Sequence, residues 1–182
     1  MKNFSASEGR VAIRPLADRD REDLHRWLND PAVLAYYEGR DNPQSYADID
    51  THFLAMQGDP VQGCIIVIDG RSAGFLQVYP LSQGELSAYH LPAGERTFGI
   101  DLFIGETALW DQGLGTAVMM LATRTLVRDY QADAVTVDPR VDNPRAVRVY
   151  EKCGYRIHRR LEAAEKHEGI DCDCWLMVYR PA

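Results

Sequence analysis

With 182 residues, 46% of them hydrophobic and 26% charged, the chain has the make-up of a soluble globular protein and the length of one domain with a substantial core. Its 27 acidic residues against 20 basic leave a net charge of -7, a balance that repels nucleic acid and favours cationic small molecules. No apolar run approaches the roughly 20 residues of a membrane helix, and the opening MKNFSASEGR lacks the apolar core of a secretory signal, so a cytoplasmic protein with neither membrane nor nucleic-acid partners is expected, residues 1–10 forming a flexible extension.

Val11 to Leu16 alternate as a first strand. Asp18 or Asp20 then caps a helix carrying Leu24, Trp27 and Leu28 that stops near Asn29-Asp30-Pro31. Val33, Leu34, Tyr36 and Tyr37 form a second short helical turn, followed by a polar loop from Glu38 to Pro43. Ser45 with Asp48 reads as a capping box that opens a helix through Ile49, Phe53, Leu54 and Met56. Cys64 to Ile68 and Ala73 to Tyr79 flank Asp69-Gly70 as an antiparallel hairpin. A long loop is expected from Pro80 to Arg96, with His90 a solvated loop histidine. The four cysteines carry neither disulfide nor zinc spacing, and no metal is expected.

The stretch TFGIDLFIGETALWDQGLGT, residues 97–116, carries the first chemical signal. Phe98, Ile100, Leu102 and Ile104 alternate as a half-buried fourth strand with Asp101 on its other face. A helix follows from the glycine-rich turn Gln112-Gly113-Leu114-Gly115-Thr116, its apolar stripe running to about Asp129. Such a turn is either plain punctuation or an anion cradle, because the first N–H groups of a helix lack partners and glycine lets a phosphate approach the backbone. Neither GxGxxG nor the Gly-Lys-Ser/Thr of a P-loop is present, which argues against a dinucleotide or a hydrolysed nucleoside triphosphate.

Ala134 to Val137 read as strand five, and Asp138-Pro139 as either a turn or a site. Asn143 caps a helix with Pro144 at its first position and Gly154 at its end. Tyr155 to Leu161 and Cys174 to Tyr179 form a final antiparallel pair, joined by a polar loop holding Glu162, Glu165, His167, Glu168, Asp171 and Asp173. Strands with helices between them in this order make an α/β fold with a mixed sheet.

The glycine turn together with Asn143, Ala146, Tyr150, Gly154 and Tyr155, spaced Asn-x-x-Ala-x-x-x-Tyr-x-x-x-Gly-Tyr, resembles the GNAT superfamily of N-acetyltransferases. Arg14, Trp27-Leu28, the run Tyr36 to Asp41, Gly99-Ile100-Asp101, Asp138-Pro139 and the block from Asn143 to Gly154 bring it nearest to the aminoglycoside 6'-N-acetyltransferases, from about Val11 to Arg180. One departure stands at Trp110, where the family's glycine motif often begins with Gln or Arg.

The resemblance implies a mixed, mostly antiparallel sheet flanked by helices and splayed between strands four and five. It implies acetyl-CoA held by the amides of Gln112, Gly113, Leu114, Gly115 and Thr116, by Phe103 and Ile104 at the acetyl carbonyl, and by Asn143, Ala146 and Tyr150. Asp101 would serve the amine as base or electrostatic anchor, with solvent exposure or an arginine partner as its alternative. Tyr150 would protonate the departing thiolate, or else simply pack beside Val147. Tyr37, Glu38, Asp101, Asp138 and Glu168 would receive a polycationic aminoglycoside, and monomer and homodimer both remain open.

Overall fold

The computed structural model describes residues 3–55 and 60–181. Among them, eight strands make one mixed sheet. The first four are β1 (Ala6–Glu8), β2 (Val11–Pro15), β3 (Gln62–Ile68) and β4 (Arg71–Pro80); β5 (Thr97–Ile104), β6 (Ala134–Val137), β7 (Arg156–His167) and β8 (Ile170–Tyr179) complete it. Their order is β1-β2-β3-β4-β5-β6-β8-β7, antiparallel throughout except for the parallel pair β5–β6. Short helices α1 (Arg21–Trp27), α2 (Pro31–Leu34) and α3 (Tyr46–Ile49) follow β2, with a π-helical turn over Asp50–Leu54. Helix α4 (Gln83–Ala88) precedes β5, α5 (Leu114–Tyr130) follows it, and α6 (Pro144–Lys152) precedes β7.

Strand alternation sorts side chains onto two faces. Ile66, Leu76, Phe98 and Ile100 pack on one face with Val118, Met119, Ala122 and Leu126 of α5. Ile65, Phe75 and Phe103 face the other way, against Leu24, Trp27 and Leu28. The Ser45–Asp48 capping box forms, with Asp48 accepting from the Ser45 amide at 2.9 Å. Met56, expected to continue that helix, lies outside the described residues.

Four local expectations give way to tertiary structure. Residues 6–8, read as part of a flexible extension, are β1, and Phe4 just before them is fully buried. The connection before β5 is shortened by α4, whose Ser82–Glu85 box caps its start. The polar segment from Glu162 to Asp173 is no loop: β7 and β8 carry it as a hairpin turning at Glu168-Gly169, where both residues adopt positive φ. Asp20 stands at the start of α1 but makes no side-chain cap bond to it, because its carboxylate takes Arg14 (2.6 and 2.7 Å) and the Ala17 amide (3.0 Å), the latter closing the short 3-10 turn before α1.

Helix α6 and β7 are fastened to α5 through Tyr155, whose hydroxyl lies 2.7 Å from Thr123 Oγ1 in the core. A buried hydroxyl stripped of its partner costs about 1–3 kcal/mol, whereas removing both partners is nearly neutral. Tyr155→Phe is therefore expected to lower denaturant stability by about that amount, and Tyr155→Phe with Thr123→Val to recover most of it. Equal losses in the single and double variants would contradict this pairing.

Candidate functional site

Strands β5 and β6 share only three register pairs, Thr97 with Ala134, Phe98 with Val135 and Gly99 with Thr136. Beyond Gly99 the two strands part. The bonds Leu81 N–H to Thr97 C=O (2.9 Å) and Gly105 N–H to Ala73 C=O (2.8 Å) fix the odd-numbered residues of β5 as those bonded to β4. Alternation then turns the amides of Leu102 and Ile104 into the opening. The Phe103 amide, expected as a donor there, is committed to β4.

The opening belongs to a crevice of about 670 Å³. On one side it is lined by Gly113, Leu114, Gly115 and Thr116 at the start of α5. No side chain caps this helix, Gly113 takes φ 76°, and the earliest bond across its start is Ala117 N–H to Gly113 C=O at 3.1 Å. A Cβ built on Gly113 or Gly115 would meet nothing within 4 Å. Unpaired amides under open space at the positive end of a 17-residue helix suit a diphosphate. Gln112 does not line the crevice, since its side chain turns away to donate to the Ala108 carbonyl at 2.9 Å.

Asn143, Ala146 and Tyr150 line the same space from α6, with Asn143 Oδ1 accepting from the Ala146 amide at 3.1 Å. Arg145, Arg148 and Lys152 also line it, residues three and four apart on one helical face. Sequence reasoning passed over these cations, although their spacing after a recognised N-cap was the available signal. The indole of Trp110 donates to Ile104 C=O (2.8 Å) and carries the Arg145 guanidinium over its ring at 4.5 Å. It is a packing post for the turn. Open amides plus three cations fit the phosphates of a CoA thioester.

Carboxylates line the crevice too, with Arg140 and Lys166 among them. Tyr37, Glu38, Asp101, Asp138 and Glu165 line it. Asp101 accepts from Gln77 Nε2 at 2.7 Å and, more loosely, from the Tyr79 hydroxyl at 3.4 Å. Tyr79 can lie there only because its cross-strand neighbour is Gly99, where a Cβ would stand 2.5 Å from the Tyr79 ring. Burial raises the Asp101 pKa, opposed by those two donors. Burial, helped by Asp101 and Glu165, pushes Asp138 up to about 6. Glu38 is also raised by burial, against the Asn42 amide that donates to it at 3.0 Å. The Tyr37 ring packs 4.7 Å from that of Phe103. Burial lifts the Tyr150 phenol too, so at neutral pH it keeps a proton to give.

Glu168 does not reach the crevice. Arg40 takes it through guanidinium and backbone amide, holding its carboxyl down at about 2 and tying the β7–β8 turn to the loop after α2. Glu165, three residues earlier, is the wall's acidic residue from this hairpin. Reading 162–173 as a loop hid the strand alternation that distinguishes the two.

The profile described as "Acetyltransferase (GNAT) domain" matches residues 17–163. The chain belongs to the GNAT acetyltransferase family. Within it, the chain is 26% identical over 152 residues to aminoglycoside N(6')-acetyltransferase type 1 of Klebsiella pneumoniae, covering 82% of this chain and 75% of that protein. Two solved structures share the fold. AAC(6')-Ib with ribostamycin and coenzyme A superposes with a TM-score of 0.75 at 21% identity, over 94% of each chain. Spermidine N-acetyltransferase from Vibrio cholerae with CoA and spermine gives 0.77 at 15% identity, over 95% of this chain and 96% of that one. Among the described residues, no group of three or more His, Cys, Asp or Glu could hold a metal ion, and no helix is long and apolar enough to cross a membrane.

Because Asp138 is harder to ionise folded than unfolded, the stability of this GNAT domain includes a term present below pH about 4 that fades as pH rises to about 6. At pH 8 the ionised group costs the fold on the order of 3 kcal/mol. Asp138→Asn is expected to raise the thermal midpoint at pH 8 by several degrees, with the gain disappearing near pH 4. A variant less stable than wild type at pH 8 would contradict the assigned burial.

Proposed function

We propose that this GNAT enzyme transfers the acetyl group of acetyl-CoA to an amine of an aminoglycoside, at the 6' position, directly within a ternary complex in the cytoplasm, so that the modified drug no longer acts on the cell. The observation that carries the reading is a crevice that gathers four carboxylates, Glu38, Asp101, Asp138 and Glu165, with Arg140 and Lys166 near them, together with uncapped amides and the α6 cations, of which Arg145 is paired to Asp111. A rigid molecule with several ammonium groups matches the carboxylates, because each takes one cation and none need be left unpaired.

Acetyl-CoA, when bound, supplies an acyl group activated as a thioester. Asp101 receives a proton from the incoming ammonium, directly or through water, and its raised pKa makes it a stronger base than an ordinary aspartate. The amine lone pair then forms the new N–C bond as the C–S bond breaks, and the nitrogen gives up its second proton to water. Amides at Leu102 and Ile104 stand where developing negative charge on the acetyl oxygen is met. Tyr150 delivers its phenolic proton to the departing sulfur, and solvent restores it. Asp138, charged above pH about 6, holds a second ammonium of the acceptor.

A flexible polyamine is the second reading, favoured by the likeness to the spermidine enzyme and served by the same carboxylates. Thiol release from acetyl-CoA with kanamycin-type, gentamicin-type and spermidine acceptors separates the two. Turnover on the drugs with much higher kcat/KM than on spermidine supports the first; turnover on spermidine alone replaces it. In that assay Asp101→Asn is expected to lower kcat by about 10²–10⁴-fold while CoA affinity stays nearly unchanged. Undiminished turnover in this variant would remove Asp101 from its role.

A further inference from the structure

His167 ends β7, one residue before the turn that Arg40 clamps. Only 8% of the residue is exposed, and its Nδ1 has no hydrogen-bond partner. A buried ring nitrogen without a partner is rare in a folded protein. The acceptor facing it is Oε1 of Glu165, 3.5 Å away, too far for a full hydrogen bond. That same Oε1 lies 3.4 Å from Nη1 of Arg140. The Arg140 guanidinium is itself held by Asp142 at 3.0 Å and by the Ala35 carbonyl at 3.2 Å. One carboxylate oxygen on the crevice wall is thus suspended between a guanidinium and an imidazole, fully engaged by neither.

An ammonium arriving at Glu165 competes with Arg140 for this oxygen. Once Arg140 is displaced, the carboxylate keeps only a weak thiol donor, Cys174 Sγ at 3.9 Å from Oε2, and His167 beside Oε1. We propose that His167 is a positioning residue for acceptor binding: its Nδ1–H closes onto Glu165 and keeps that carboxylate aimed into the crevice when the acceptor's cation takes Arg140's place. The closure shortens 3.5 Å to the roughly 2.9 Å of an ordinary N–H···O bond. His167 itself touches neither substrate, and its effect reaches the acceptor only through Glu165. The inference rests on the cationic-acceptor reading above, since an uncharged acceptor would leave Arg140 where it is.

Steady-state kinetics with kanamycin or spermine, whichever the wild-type enzyme acetylates, tests it. His167→Phe keeps the ring and removes the donor; loss of one charge-assisted bond is expected to raise the acceptor KM about tenfold, with kcat and the acetyl-CoA KM within about twofold. His167→Asn places an amide N–H where Nδ1 stands and is expected to restore the KM. His167→Gln mimics the other ring nitrogen and is not. Glu165→Gln is expected to raise the acceptor KM at least as much as His167→Phe. An unchanged KM in His167→Phe beside a raised one in Glu165→Gln overturns the positioning role alone. If His167→Phe does not fold, equal KM values for the Asn and Gln variants overturn it. Unchanged KM in Glu165→Gln, or a wild-type enzyme that acetylates no multiply charged amine, refutes the acceptor reading instead.

Discussion

Two parallel strands that share three register pairs and then separate leave a sheet with backbone donors on its inner edge and no strand to receive them. Buried amides do not stay unpaired without cost. The parting of β5 from β6 therefore creates a demand inside the molecule for a ligand with acceptor oxygens. Its neighbours reinforce that demand: α5 begins uncapped at Gly113, with open space above its first amides, and α6 turns a row of cations to the same cavity. What keeps the split from closing is the packing of both faces. Leu114, Val118, Met119 and Tyr155 fill one side, and Trp27, Phe75 and Phe103 the other.

Charge is gathered in the same crevice. The α6 cations and four carboxylates line it, with Arg140 and Lys166 among the carboxylates and Asp111 beside Arg145. Burial, with a smaller push from neighbouring carboxylates, raises Glu38, Asp101 and Asp138 together. The wall is thereby less stable than a neutral one and a better proton acceptor, a trade in which folding free energy is given up for attraction to cations. Gly99 and Tyr79 show how local the device is. Absence of one side chain makes room for a phenol that, with Gln77, orients the central aspartate.

Much of this was legible before any coordinates. Period-two alternation gave the sheet strands, the Asn143-Pro144 pair fixed the start of α6, and the glycine turn marked the start of α5, because each rests on contacts within a few residues. The site residues carried by motif spacing, Asp101, Asp138, Asn143 and Tyr150, all line one crevice. What stayed hidden depended on partners distant in sequence. Phe4 is buried only because the sheet extends over it. Glu168 is withdrawn only because Arg40, 128 residues away, claims it. The choice between Phe103 and its neighbours as donors hinges on the phase of the β4–β5 ladder, which no composition reveals. Glu165 differs from Glu168 in lying within β7 rather than in the turn that follows it.

The central claim is that a CoA thioester occupies the split between β5 and β6, with its diphosphate on the start of α5. Amide chemical shifts recorded by NMR during a CoA titration test it residue by residue. The largest displacements are expected at Leu102, Ile104, Gly113, Gly115 and Thr116, and a smaller one at Phe103, whose N–H faces β4. Displacements absent from these residues, or confined to another surface at saturating CoA, would contradict it.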